Sequence, residues 1–366
     1  MTRTPRPLRL RQQRPNRSLF AMMIFAAAVV MAACSSIGPE RVPKDRLDYA
    51  DSLSVSWQRQ MLLNIVKLRY GEMPMFLDVT SVINQYTTEG SFSTFIFPGG
   101  NDEFGARGSF SDRPTVTYQP LTGEAFTTSL LTPLSPIAMF SLVQAGWPVD
   151  LVMNICVRRI NGINNQSAGL VRAIADPEFL ELVNALSELQ QSGRLMIRLT
   201  EFNKAERVEQ ERGVYLMLGR ASHELAAEAE RAKELLGLDL DAQEVSVAFG
   251  GISREETEIA MLSRSVLDIM LEMAFSVRVP DQDIVSGRAG DSIYDTPEGS
   301  RTPRRIQIHS GERVPDGTRI AVPYRDIWFW IEDTDLDSKV SLAFLLTLFS
   351  LSEGSSGGGS PLLTIN

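Results

Sequence analysis

Side chains that bind metal ions are scarce in this chain, which has two cysteines and two histidines among 366 residues. The string His223-Glu224-Leu225-Ala226-Ala227 begins like the zinc-protease helix motif, but that motif needs a second histidine four residues on, so that both imidazoles face one ion. Position 227 is alanine. His223 is therefore expected on a helix surface. Asp333, Asp335 and Asp337 have the alternate spacing that opens a calcium loop, yet Ser338 and Phe344 stand where such a loop requires glycine and glutamate. These acids are expected to follow a strand and to favour the positive end of a helix starting near Ser338. No SxxK, P-loop or GxGxxG string occurs. No metal or cofactor is expected, and the sequence assigns no catalytic residue.

Basic charge is also in short supply. The formal net charge is −9 and the pI about 5.0, which argues against a nucleic-acid partner, since such domains are normally strongly basic. What basic charge there is concentrates at the start. Arg3, Arg6, Arg9, Arg11, Arg14 and Arg17 precede an apolar run from Leu19 to Ala33 with no acid among them. That run is shorter than the roughly 20 residues a membrane-spanning helix needs, and it reads as a processing segment.

The run ends in Met31-Ala32-Ala33-Cys34-Ser35. Small residues before a cysteine, after a basic head and a short apolar core, make residues 1–36 resemble the lipobox signal of bacterial lipoprotein precursors. Met31 departs from the leucine more usual there. The resemblance implies cleavage before Cys34, acylation of Cys34, and anchoring without a spanning segment, because two or three acyl chains hold a protein on a bilayer where one holds it marginally. Ser35, in place of an inner-membrane-retaining Asp, implies the outer membrane. Cleavage removes six arginines and no acid, taking the charge from −9 to −15. With Cys34 acylated, Cys156 has no disulfide partner, and its apolar neighbours in "LVMNICVRRI" mark it as a buried thiol.

The remaining pattern predicts an α+β or α/β fold, a mixed sheet packed with amphipathic helices. Residues 34–48 are expected to be a tether, 49–353 a globular region with a lobe boundary near 201–212, 354–361 a glycine-serine linker, and 362–366 a strand returning to a sheet edge. Leu53, Trp57, Met61, Ile65 and Leu68 predict a helix ending near Gly71. A β-hairpin over residues 76–97 should follow, turning at Glu89-Gly90, with further strands at 104–111 and 115–118. Pro133 and Pro136 should divide residues 122–146 into two helices. Leu151 to Ile160 is β-branched enough to predict a strand. Asp176-Pro177-Glu178 predicts a helix start, with Phe179, Val183, Leu186 and Leu189 on its buried stripe. "RLMIRL" and "EVSVAF" read as strands, 222–236 as a helix, and Ser253 with Glu256 as a capping box for a helix carrying Leu262, Val266, Ile269 and Met273. "VSLAFLLTLFSL" predicts a core helix.

Two features are candidate interaction sites. Trp328 and Trp330 lie two apart on a predicted strand and share one face, opposite Phe329 and Ile331. Arg301, Arg304 and Arg305 form a basic spot in the glycine- and proline-rich stretch 280–318, suited to phosphate-bearing lipid or an acidic partner. The functional expectation is a membrane-anchored envelope lipoprotein, facing the periplasm from the outer membrane, that binds or helps assemble another envelope protein or cell-wall component. The alternative is an envelope hydrolase acting on cell-wall sugar or peptide through paired carboxylates. A cleft with two carboxylates would mark the hydrolase, and an exposed apolar patch without them the binding protein.

Overall fold

The computed structural model describes residues 42–84, 86–95, 103–168, 173–200, 213–218, 226–253, 255–292, 294, 304–354 and 362–365. The expected lobe boundary at 201–212, and also His223, Cys34 and Arg301, lie outside the described residues. The chain divides after Trp57. Of the first unit only the leading part of one helix, α1 (Val42–Arg69), is described. It starts inside the stretch expected as a tether, where Pro43 is tolerated because a first turn leaves its N–H groups unused, and where Asp45 suits the positive helix end.

The second unit is α+β. Met61, Leu62, Ile65 and Val66 are the buried face of α1, and Gly71, at φ 75°, ends it in the left-handed conformation that glycine adopts without penalty. Strand β1 (Leu77–Asn84) follows, then the long ribbon of β2 (Tyr86–Phe95) and β3 (Glu103–Asp112), then β4 (Thr115–Pro120). The expected turn at Glu89-Gly90 is absent, because β2 runs straight through it with Gly90 opposite Gly108. The connection between β2 and β3 falls at 96–102, where "FPGGND" has stronger turn chemistry than Glu-Gly. β1 pairs antiparallel with β4, and its other edge pairs in parallel with the C-terminal strand Leu362–Ile365.

A short helix α2 (Gly123–Phe126) passes into a π-helical turn (Thr127–Leu131), and α3 (Pro136–Gln144) follows with Ser135 Oγ accepting from Ala138 N. The expected strand at Leu151–Ile160 is corrected. Its first part is helix α4 (Val149–Cys156), and only Val157–Ile160 is strand β5. Pro148 at the cap and Asp150 in the first turn start that helix, and burial of Val149, Val152, Met153, Ile155 and Cys156 on helical spacing outweighs β-branched propensity.

After β6 (Ile163–Asn164), helix α5 (Pro177–Gln191) buries Phe179, Val183, Leu186 and Leu189 as the periodicity predicts. Asp176 occupies its N-cap position, but its carboxylate accepts from the backbone N and side-chain Nδ2 of Asn164 instead. β7 (Leu195–Thr200), β8 (Gly213–Leu218), α6 (Ala226–Leu236), β9 (Val245–Phe249) and β10 (Glu258–Ser263) come next. These strands make a six-stranded mixed sheet in the order β6-β5-β10-β9-β8-β7, with β9 and β10 parallel and the other neighbours antiparallel. β7 and β8, which flank residues 201–212, are adjacent in it.

The capping box at Ser253 and Glu256 is a second correction. Leu262 lies on a strand, Ser253 Oγ bonds within its own turn to Glu255, and the helix α7 (Val266–Ala274) is capped by Ser265, whose Oγ accepts from Asp268 N at 3.2 Å. Helix α8 (Asp281–Val285) precedes a small sheet of β11 (His309–Gly311), β12 (Ala321–Tyr324) and β13 (Ile327–Trp330), ordered β11-β13-β12. Helix α9 (Leu336–Gly354) buries Leu342, Phe344, Leu345 and Leu348 and leaves Ala343 and Ser350 exposed, so it is a core helix with a solvent face. Its start matches the expected role of the acids: Asp335 accepts from Ser338 N at 3.0 Å and from Ser338 Oγ at 2.6 Å. Among the described residues no helix is long and apolar enough to cross a membrane.

Candidate functional site

The end of α4 creates an electrostatic need that the sequence fills from a distance. The last carbonyls of a helix lack intrahelical donors and carry its negative end. Arg264, on the link between β10 and α7, supplies them: Nη1 donates to Asn154 O at 3.1 Å and Ile155 O at 3.0 Å, and Nη2 donates to Gln166 O. Its backbone N donates to Cys156 O at 2.7 Å. Asn165 adds two more donations from Nδ2, to Val157 O at 2.6 Å and Asn154 O at 3.0 Å. Arg264 is 1% exposed. Burial holds its guanidinium below the usual arginine range, opposed by the charges of Glu272 and Asp268. Glu272 is itself buried and accepts from Ser167 Oγ at 3.0 Å and Ala168 N at 2.6 Å.

A second arginine enters the same region with fewer acceptors, and in both the buried Nε has no hydrogen-bond partner. Arg305 Nη2 donates to Asn165 Oδ1 at 3.1 Å, an acceptor already shared with Gln166 N, while its buried Nε has no partner. Burial, together with the nearby Arg264 charge, pushes Arg305 down to about 10. Gln166 Nε2 is likewise buried without a partner. Both residues, though not these closed-off nitrogens, line a cavity of about 300 Å³ between α4, α5 and the start of α9, walled also by Asp150, Asn184, Leu180 and Val183. Arg304 lies on the same wall, its guanidinium 5.2 Å from the Tyr294 ring centre. Two of the three arginines in the predicted basic spot are thus brought together at a cavity, not displayed on an open loop. Nothing periodic in the sequence signals it. The available clue is Arg264 itself, a charge that closely follows the apolar string "IAML".

A different feature lies where α1 meets β1. Gln60 and Asn64, one helical turn apart, each clasp the backbone of the segment that leads into the strand. Asn64 Nδ2 donates to Met75 O at 2.8 Å and its Oδ1 accepts from Met75 N at 3.0 Å; Gln60 Nε2 donates to Leu77 O at 3.2 Å and its Oε1 accepts from Leu77 N at 2.7 Å. The spacing works because four helical residues rise about 6 Å. Two extended residues span a similar distance, about 6.6 Å. The clasp fixes which residues face out. Pro74 and Phe76 are buried, whereas Met73, Met75 and Leu77 are 72%, 60% and 40% exposed. Beside them β4 overhangs the core: Tyr118 and Val116 sit opposite the buried Val79 and Val82 but are themselves exposed. Among the described residues the outer edge of β4 pairs with no strand.

Trp328 and Trp330 do share a sheet face, but unequally. The Trp330 ring stacks on His309 with centres 5.9 Å apart and leaves so little room over Gly311 that an added Cβ would meet it at 3.2 Å. Trp328 is the open one, at 36% exposure. Phe329 and Ile331, on the other face, are in the core. Among the described residues no group of acids, cysteines and histidines is disposed to hold a metal ion. No protein-family model, no curated protein and no solved structure matches the chain.

Proposed function

We propose that this chain is a lipid-anchored outer-membrane lipoprotein, facing the periplasm, that binds another envelope protein and helps its assembly instead of catalysing a reaction. The observation that carries the reading is the outward strip Met73, Met75 and Leu77, held rigid from behind by Gln60 and Asn64. Methionine is soft and adaptable, which suits a contact surface, and a preformed strip avoids the entropy cost of ordering it on binding. The adjacent free edge of β4 offers backbone groups for strand addition. A hydrolase reading has less support, since glycosidic cleavage needs two carboxylates about 5 to 10 Å apart, and among the described residues Asp150 is the one carboxylate on the wall of the cavity described above.

The anchor rests on residues 1–36 and is tested separately. Cys34→Ala should abolish acylation, read by mass spectrometry of the N-terminus; a mature chain that keeps residues ahead of Cys34 overturns it. The binding reading is tested by affinity capture of the membrane-held chain. A stable envelope partner captured by the native sequence should be lost from the Met73→Ser, Met75→Ser, Leu77→Ser variant. Equal capture by both sinks the strip as the contact.

A further inference from the structure

We infer that the ribbon of β2 and β3 is a membrane-inserting hairpin, and that copies of this chain join their ribbons edge to edge into a closed β-barrel in the bilayer. Residues directly opposite in an antiparallel ladder share a face, as do residues two apart along a strand. The ladder pairs Thr88 with Phe110, Phe92 with Ala106 and Thr94 with Phe104, and sets Gly90 opposite Gly108. These positions make one face, and none of them is charged. The alternate positions pair Glu89 with Ser109 and Ser91 with Arg107, so the other face is polar. Each end of the ladder sets an aromatic residue opposite an acid, Tyr86 with Asp112 and Phe95 with Glu103. A tilted strand of about 9–11 residues crosses the apolar core of a bilayer. β2 and β3 have 10 each. Alternation over that length, uncharged on one face and polar on the other with aromatic residues at both ends, is the pattern of a transmembrane barrel strand.

In water the same ribbon has little to hold it. It is a sheet of two strands, and among the described residues neither strand packs substantially on any element but its partner. A hairpin alone is marginal in water, so this one needs a further surface. The flanking strands β1 and β4 pair with each other in a separate sheet, which ties the base of the ribbon to the folded unit. A bilayer covers the uncharged face. It cannot cover the outer edges of β2 and β3, whose backbone groups pair with no third strand among the described residues. Lipid admits strands only in closed barrels, where every edge is paired. A second copy offers the matching edge: β3 of one ribbon beside β2 of the next continues the antiparallel order, and such head-to-tail contacts close into a ring. Two strands per copy reach the smallest barrels, of roughly eight strands, with about four copies. The inference goes beyond the binding reading and takes from it only the anchor that brings the ribbon to the membrane.

The test is spin labelling of the full chain reconstituted in vesicles of phosphatidylethanolamine and phosphatidylglycerol. Nitroxides go on single substitutions, Thr88→Cys and Phe110→Cys on one face, Glu89→Cys and Ser109→Cys on the other. Cys156, at 0% exposure, stays unlabelled, and the native chain serves as the blank. Collision with oxygen should exceed collision with a nickel chelate severalfold on the first face, and the order should reverse on the second. Native mass spectrometry of the extracted protein should give one multimer. Phe92→Arg should abolish both results, since a charge on the lipid face is strongly disfavoured, while Ser91→Arg on the polar face should keep them. Urea melts in detergent, followed by tryptophan fluorescence, guard against simple unfolding. Trp57, Trp147, Trp328 and Trp330 lie outside the ribbon, so both variants should melt like the native chain. Flotation with the vesicles but equal water exposure of the two faces leaves the anchor standing and overturns the ribbon. A monomer overturns the closure by copies. A Phe92→Arg chain that inserts like the native one, or that melts earlier because the ribbon belongs to the core, overturns the inference equally.

Discussion

Two regions of this protein invert the usual arrangement of side chains, in opposite senses. At the junction of α1 and β1 apolar residues stand outside; at the end of α4 charged residues stand inside. The interior inversion is largely resolved within the chain, because Arg264 and Glu272 are met by carbonyls, a hydroxyl and a backbone N–H. The exterior one is not, since nothing among the described residues covers Met73 and Met75. A buried charge is tolerated once its hydrogen bonds are made, whereas an exposed apolar strip is tolerated only while it stays small or finds a partner. Arg305 is the intermediate case, half provided for.

The largest expected effect divides the interior region itself. Arg264→Met takes donors from two helix-end carbonyls, of which Asn154 O keeps Asn165 Nδ2, and from Gln166 O, and leaves Glu272 without its nearby cation; it should cost about 3–5 kcal/mol in a denaturant melt. Arg305→Met, by contrast, should leave stability unchanged or raised. Equal losses from the two substitutions would erase the distinction between an arginine with many acceptors and one with few.

Alkaline pH gives the next effect. Burial pushes the Cys156 thiol up to about 12, against which Arg264 and Arg305 act more weakly. The unfolded thiol loses its proton from about pH 8.5, so above that point the folded state holds more protons and stability falls with rising pH, by up to about 1.4 kcal/mol per unit, until the folded thiol titrates. Cys156→Ala should flatten this slope in urea midpoints taken at about pH 8 and about pH 10. An unchanged slope would assign the alkaline loss elsewhere, with Tyr324, also raised by burial, as the first group to substitute.

A smaller effect checks the corrected helix start: Ser265→Ala should cost about 1 kcal/mol and Ser253→Ala less than about 0.5 kcal/mol. The smallest concerns the exposed strip. Replacing Met73, Met75 and Leu77 together by serine should move stability of the isolated chain by no more than about 0.5 kcal/mol, since all three sides face water already. A large loss would make the strip part of the core.

What was legible in the sequence was what repeats. The stripes of α1 and α5, the strands at "RLMIRL" and "EVSVAF", and the acids before α9 follow from local periodicity and capping. The pattern is ambiguous where two periods overlap in one apolar run. "VDLVMNICVRRI" satisfies helix and strand alike; Pro148 starts α4 ahead of it, and the carbonyls met by Arg264 mark where α4 gives way to β5. Ser265-Val-Leu-Asp268 held the true cap, hidden because Leu262 could be counted into the following helix. The candidate site was half legible. Arg304 and Arg305 stood out as basic residues, but Gln166 and Asn165 are 139 and 140 positions from Arg305, and no local pattern joins them. The Met73–Leu77 strip showed no sequence signal, because alternation in "MPMFL" is apolar on both sides; which side is buried is decided by the amides of Gln60 and Asn64.

Oxidative footprinting of methionines addresses the comparison most directly. In the isolated chain, peroxide should convert Met73 and Met75 to sulfoxides quickly, while Met61 and Met139, each 1% exposed, resist as internal standards. The account predicts that the same treatment of the chain in its native envelope leaves Met73 and Met75 protected, because a partner covers them there. Equal oxidation of both methionines in the two settings would contradict it.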